Sequence, residues 1–195
     1  YAGTADGSIP PSMADMGDLL IGLARASAVT EKIKLGTAIS LVPEHNPLMQ
    51  AKQIATLDRL SNGRFIFGIG AGWLAEETEI MGGDFEHRWG QTREAILAMK
   101  ELWTKDEAEF HGHYYDFPKV RVFPKPVQKP HPPIWLAAQS RGAVRRAAAI
   151  ADACLLGPQA NWEDIDQLSS MYWEAIAEQP DKTGYLAANR SISIA

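Results

Sequence analysis

Helical and extended patterns alternate along this chain from one end to the other, and that alternation constrains its fold more than any other feature. Asp15 to Thr30 has a helical apolar period at Leu19, Leu20, Leu23, Ala24 and Ala28, ended by the β-branched pair Val29-Thr30. Ile33 to Val42 reads as one buried strand, stopped by Pro43. Asn46 is placed as an N-cap with Pro47 at the first helical position, and the predicted helix runs from there to Leu60, where Asn62-Gly63 ends it. Arg64 to Ile69 is a strand, Gln91 to Thr104 a helix, Ile134 to Ala138 a strand, Arg141 to Ala151 a helix and Ala153 to Leu156 a strand. Asn161 caps a helix to about residue 178, and Arg190 to Ala195 reads as a final strand. The one irregular section is an expected β-hairpin insert near 110–131, with Val120 to Phe123 following a Pro118-Lys119 turn. Strands separated by helices pair in parallel, so the class is α/β, with a barrel or an open doubly wound sheet as the two architectures.

The dinucleotide and phosphate-loop fingerprints of the open sheet are missing. Gly68, Gly70 and Gly72 are spaced G-x-G-x-G, with Trp73 where a third turn glycine would stand, and no G-x-x-x-x-G-K-[ST] occurs. A barrel piece fits better. At 195 residues the chain is one domain, read here as 1–195. Its 19 basic and 24 acidic residues give a net charge of −5, with no basic run to follow a phosphate backbone, which argues against nucleic acid. No apolar stretch approaches the roughly 20 residues of a membrane span, and no secretory signal is visible. One cysteine, Cys154, cannot form an internal disulfide, so a cytoplasmic location is expected. The chain opens at Tyr1 without methionine and closes inside an apparent strand, as a fragment would.

Ligands of parallel α/β folds meet the loops after the carboxyl ends of strands. Here those loops are Ser40 to Asn46, Gly70 to Trp73, Ala138 to Gly142 and Gly157 to Gln159. The alternating glycines either admit a flat ligand to the backbone or simply make a turn. Ser140 is placed to cap a helix whose first free amides, with Arg141, would attract an anion. His45 is the one histidine at the expected mouth and a weak catalytic candidate. His111 and His113 share a strand face but lack a third ligand at a familiar spacing, so no metal is expected. Cys154 reads as buried and inert, and Glu76, Glu77, Glu79 and Asp84 as a solvated face.

Five segments together carry a family resemblance: Lys34-Leu-Gly-Thr-Ala-Ile39, Leu57-Asp-Arg-Leu-Ser-Asn-Gly-Arg64, Phe67-Gly-Ile-Gly-Ala-Gly-Trp73, Arg88 with Glu94, and Val122-Phe-Pro-Lys-Pro126 before Pro133-Ile-Trp135. In order and over nearly the whole chain, they resemble the bacterial luciferase-like superfamily, and within it the branch of deazaflavin (coenzyme F420) dependent oxidoreductases. The resemblance implies an eight-stranded (β/α) TIM-type barrel that binds coenzyme F420, or alternatively FMN, at its carboxyl end. It equates residues 1–30 with the family's second loop and helix and residues 191–195 with strand seven. Strands one, two and eight, and the active-site side chain that often ends strand two, then lie outside the chain. It also implies a non-proline cis peptide at Ala38-Ile39 whose bulge presses on the cofactor ring, a lining at Gly70, Ala71 and Gly72, and a phosphate turn at Gln139, Ser140, Arg141 and Gly142. Ala137-Ala138 departs from the Gly-Gly pair of many deazaflavin members. The implied activity is hydride transfer between the deazaflavin and a small organic substrate; the alternatives are an FMN-dependent monooxygenase using oxygen, and a non-catalytic or self-associating remnant. Open strand edges favour a homo-oligomer.

Overall fold

The computed structural model describes residues 15–157 and 161–188. Its elements, in chain order, are α1 (Leu19–Val29), β1 (Leu35–Gly36), β2 (Ser40–Leu41), a 3-10 turn (Val42–Glu44), α2 (Pro47–Leu60), β3 (Phe65–Gly70), α3 (Ala75–Ile80), α4 (Arg88–Thr104), β4 (Ala108–His111), β5 (Asp116–Val120), β6 (Ile134–Ala138), α5 (Arg141–Ile150), β7 (Ala153–Leu156), α6 (Trp162–Ala177) and β8 (Leu186–Ala188). The main sheet is parallel, in the order β1-β3-β6-β7-β8, with β2 also paired to β3. Strands follow one another around the sheet in chain order, as in a (β/α) barrel, and the described part is half of one.

Helix starts follow the capping chemistry. Asn46 Oδ1 accepts from the amides of Leu48 and Met49, Ser140 Oγ from Ala143, and Asn161 Oδ1 from Asp164. α1 begins at Leu19, later than the apolar pattern predicts, because Asp18 Oδ1 caps it by accepting from Ile21. Asn62 (φ 52°) and Gly63 (φ 73°) supply the left-handed turn that ends α2.

Strand alternation builds the core. Phe65, Phe67 and Ile69 of β3, Ile134 and Leu136 of β6 and Leu156 of β7 are fully buried against the helices. Each such side chain contributes roughly 1.5–3 kcal/mol. Trp103 of α4 meets Phe67 edge-on at 6.3 Å and donates Nε1–H to the Ala51 carbonyl at 2.9 Å, so its polar edge is satisfied. The opposite, concave face carries Ile66, Trp135, Ala137 and Leu155, all half-buried.

Two sequence expectations need correction. The strand predicted over 33–42 is two pieces. Gly36 pairs with Ile66 and Ser40 with Ile69, so four steps of chain oppose three, a one-residue bulge that contains the cis peptide Ala38-Ile39. The hairpin turn is at 112–115, not at Pro118-Lys119: β4 and β5 pair Phe110 with Phe117 and His111 with Asp116, and Pro118 lies inside β5. The cause is Glu94 of α4, whose carboxylate accepts the amides of His113, Tyr114 and Tyr115 and pins the turn there. The predicted final strand at 190–195 lies outside the described residues, and β8, at 186–188, takes the place beside β7.

Candidate functional site

The carboxyl ends of β2, β3, β6 and β7 lie side by side, since Leu41 pairs with Gly70, Ile69 with Leu136 and Ala138 with Leu156. The bulge at the end of β1 shapes the first part of this mouth. Thr37 Oγ1 donates to the Gly68 carbonyl at 2.6 Å, and the Thr37 carbonyl oxygen stands only 1.9 Å from where a Cβ on Gly68 would be. Ile39 is pushed forward over Gly70, its Cδ1 2.3 Å from that glycine's missing Cβ. The alternating glycines therefore do not leave an open strand end: the chain's own bulge fills the space over Gly68 and Gly70, and Ala71 is buried. What they bring to the mouth is the half-buried Ile39, with Ala38 exposed beside it. Gly72 (φ 84°) then turns the chain over Thr78 and into α3.

The second part is the start of α5, and here Gln139, Ser140, Arg141 and Gly142 come together as one exposed turn. Ser140 satisfies the Ala143 amide, while the amides of Arg141 and Gly142 have no partner among the described residues. Two unpaired N–H groups at the positive end of a helix dipole are an anion seat. The Gln139 side chain lies across Gly157, its Nε2 2.7 Å from where a Cβ would stand, and so spans the ends of β6 and β7. Of the predicted site residues, then, Ala38, Ile39 and the 139–142 turn face the mouth, whereas Gly70, Ala71 and Gly72 act through the backbone they shape.

Titratable groups at the mouth are few. His45 is half-buried at the end of the 3-10 turn; burial lowers its proton affinity, against the pull of Asp18. The imidazole is therefore neutral at pH 7. Glu44, which the sequence reading passed over, has its carboxyl held above the ordinary range by burial and by Glu77, with Thr78 Oγ1 at 3.3 Å opposing. His111 is exposed and paired with Asp116 at 2.5 Å, and His113 is exposed on the hairpin turn. No group of three or more His, Cys, Asp or Glu gathers as metal ligands among the described residues. Cys154 is fully buried, its thiol pushed up to about 12 by burial. No helix among the described residues is long and apolar enough to cross a membrane.

Several residues of the recognised motifs lie at the other end of the strands and do structural work. Asp58 is fully buried and accepts from the amides of Val127 and Gln128 and from Gln128 Nε2, tying the segment before β6 to α2. Arg64 donates to Ser61, Ile33, Ser27 and Thr30 carbonyls and to Thr30 Oγ1. Lys125 Nζ donates to the Leu102 and Lys105 carbonyls, closing the C-terminus of α4.

The luciferase-like monooxygenase family matches the chain over residues 2–193. An uncharacterized protein of Mycobacterium tuberculosis is 42% identical over 137 residues, 69% of this chain and 48% of that one. An FMNH(2)-dependent dimethylsulfone monooxygenase of Pseudomonas putida is 37% identical over 128 residues, 64% of this chain and 35% of that one. Among solved structures, the coenzyme F420 dependent tetrahydromethanopterin reductase of Methanopyrus kandleri superposes with a TM-score of 0.76 at 25% identity, over 88% of this chain and 54% of that one. The chain thus spans about half, or less, of the length of the proteins it matches.

Proposed function

The chain belongs to the luciferase-like monooxygenase family, and from that premise we propose that it supplies the cofactor-binding half of an oxidoreductase that transfers hydride between coenzyme F420 and a small organic substrate. The observation that carries this reading is that the Ile39 bulge and the unpaired amides of Arg141 and Gly142 stand at the same end of the sheet, on the two sides of β3. A flat apolar wall beside an anion seat suits a ring joined by a chain to a phosphate. Ile39 and Ala38 would bound the ring and exclude water from one side of it. Ser140, by capping the helix, holds the two amides pointed outward, and Arg141 adds charge at the same turn. The neutral His45 can accept or return a proton at the rim. The deazaflavin, when bound, supplies the hydride chemistry itself.

FMN is the second reading, favoured by the Pseudomonas putida relative, whose name states an FMNH(2)-dependent monooxygenase. Both cofactors carry a phosphate, so the turn serves either. Titrating the protein with each separates them. Binding of coenzyme F420, weakened by Gly142→Pro through loss of one amide and distortion of the turn, is the expected outcome. A charge-assisted contact here is worth about 1.5–3 kcal/mol, roughly tenfold to a hundredfold in affinity. Tight FMN binding with none for coenzyme F420 would replace the first reading by the second.

A further inference from the structure

Residues 73–83 leave the carboxyl end of β3, form the short helix α3 and turn back through Gly82. Left-handed glycines bound the stretch, Gly72 (φ 84°) at its start and Gly82 (φ 87°) near its end. Little of it is packed: Ile80 is 84% exposed, and Thr78 is the single buried residue. Thr78 meets the 3-10 turn that follows β2. Its Oγ1 stands 3.3 Å from Glu44 Oε1 and 3.1 Å from the Leu74 carbonyl oxygen. Gly83 is pressed against the same two segments, since a Cβ on it would lie 2.7 Å from Thr78 Cγ2 and 2.9 Å from the Pro43 carbonyl oxygen.

The hydroxyl of Thr78 has one proton and faces two oxygens. Donated to the Leu74 carbonyl, the nearer of the two, that proton leaves Oγ1 as an acceptor towards Glu44 Oε1. Two facing acceptors need a proton between them, and a neutral Glu44 carries it. Its O–H donates to Thr78 Oγ1, which donates to Leu74, and both bonds are made. An ionised Glu44 competes with Leu74 for the single hydroxyl proton, and one bond is lost. The surroundings favour the neutral form. Burial and the Glu77 carboxylate of α3 raise the proton affinity of Glu44, and no Lys, Arg or His lies within ion-pair distance of it among the described residues. The next residue, His45, is neutral and is influenced by Asp18. At the start of α4, which packs against the turn, His87 is paired with Asp84 and Arg88 lies over the Phe85 ring. The first charged residue of α2 is Lys52.

We propose that Glu44 is a positioning residue which, as a neutral acid, latches residues 73–83 at the mouth through Thr78, and which releases them when it ionises. The order of the α3 segment then depends on pH. A latch whose carboxyl holds its proton more tightly when engaged is strongest below the ordinary carboxylate range. It weakens as pH rises through that range to the raised value of Glu44. The inference needs no cofactor and stands apart from the reading of the hydride donor.

Amide hydrogen exchange of the full chain, corrected for intrinsic rates and taken from about pH 4 to about pH 8, tests it. The expected result is protection at 73–83 that falls roughly tenfold with rising pH, while α2 and β3 keep theirs. Glu44→Gln cannot titrate, but its amide still donates to Thr78 Oγ1, so protection at 73–83 stays high across the range. Glu77→Gln removes the like charge from an exposed position and moves the midpoint of release to lower pH. Protection at 73–83 that is independent of pH in the parent overturns the proposal, as does an unchanged pH dependence in Glu44→Gln. A fall shared equally by α2 and β3 overturns it too, because it marks opening of the whole domain. Should the Glu44 variant fold poorly, an unmoved midpoint in Glu77→Gln is decisive against it.

Discussion

Replacing Arg64 by lysine should detach α1 from the sheet, and the structure sets the size of the effect. A guanidinium has five N–H donors, and at Arg64 all five are used: Nε to the Ser61 carbonyl (2.7 Å), Nη1 to Thr30 Oγ1 (3.1 Å) and the Ile33 carbonyl (2.8 Å), and Nη2 to the Ser27 (3.2 Å) and Thr30 (2.8 Å) carbonyls. Four of the five acceptors lie in α1 or the segment that leads from it to β1. Packing cannot replace these bonds, because Ser27 is the single buried residue of α1 while Ile21 and Val29 are 72% and 62% exposed. Lysine keeps the charge but has three donors on one nitrogen, so at least two acceptors lose their partner. At about 1 kcal/mol net per bond, Arg64→Lys costs about 2 kcal/mol, and Arg64→Ala about 3–5 kcal/mol. Urea unfolding measures this directly. With a slope of about 2 kcal/mol per molar for a domain of this size, the lysine midpoint falls by about 1 M at unchanged slope. A lysine variant within about 0.5 kcal/mol of the parent would refute the reasoning, since it would mean that charge rather than the fork holds α1.

The two glycines at the bulge should behave differently although both are crowded. Gly68→Ala drives a Cβ into the Thr37 backbone carbonyl and should cost about 3 kcal/mol or prevent folding, while Gly70→Ala meets only the tip of Ile39, should cost about 1–2 kcal/mol, and should recover most of that in the double variant with Ile39→Val; equal urea midpoints for the two single variants would contradict this. Cys154, with its thiol at about 12 and no exposed surface, should resist an aromatic disulfide reagent in the native state at mildly alkaline pH and react fully in urea; prompt native labelling would show that β7 opens.

Elements with strong local signals were legible from the residues. Asn46-Pro47, Ser140 and Asn161 start helices where they were expected, because a side-chain cap is decided within three residues of chain. The parallel order followed from alternation. The bulge did not: nothing in the period of residues 33–42 marks an extra residue, since its cause is the opposing β3, and only the family resemblance located the cis bond at Ala38-Ile39. The hairpin turn was misplaced for the same reason, because Glu94, some twenty residues away in sequence, decides it. At the mouth, the capped turn at 139–142 was visible from its own residues, whereas Glu44 beside Thr78 and Arg146 on Trp89 are meetings of distant segments that no local pattern encodes.

Asp58, Arg64 and Lys125 act at the end of the strands opposite the mouth, and this separates part of what makes the chain recognisable from the candidate site. The first is a set of clasps on backbone groups, indifferent to any ligand. The second is a rim of segments that follow the strand ends, some anchored in the core, as Val42 and Thr78 are, and some exposed, as the 139–142 turn is. The exposed 139–142 turn can accordingly vary at one end of the sheet while the clasps at the other go on folding the same barrel wall.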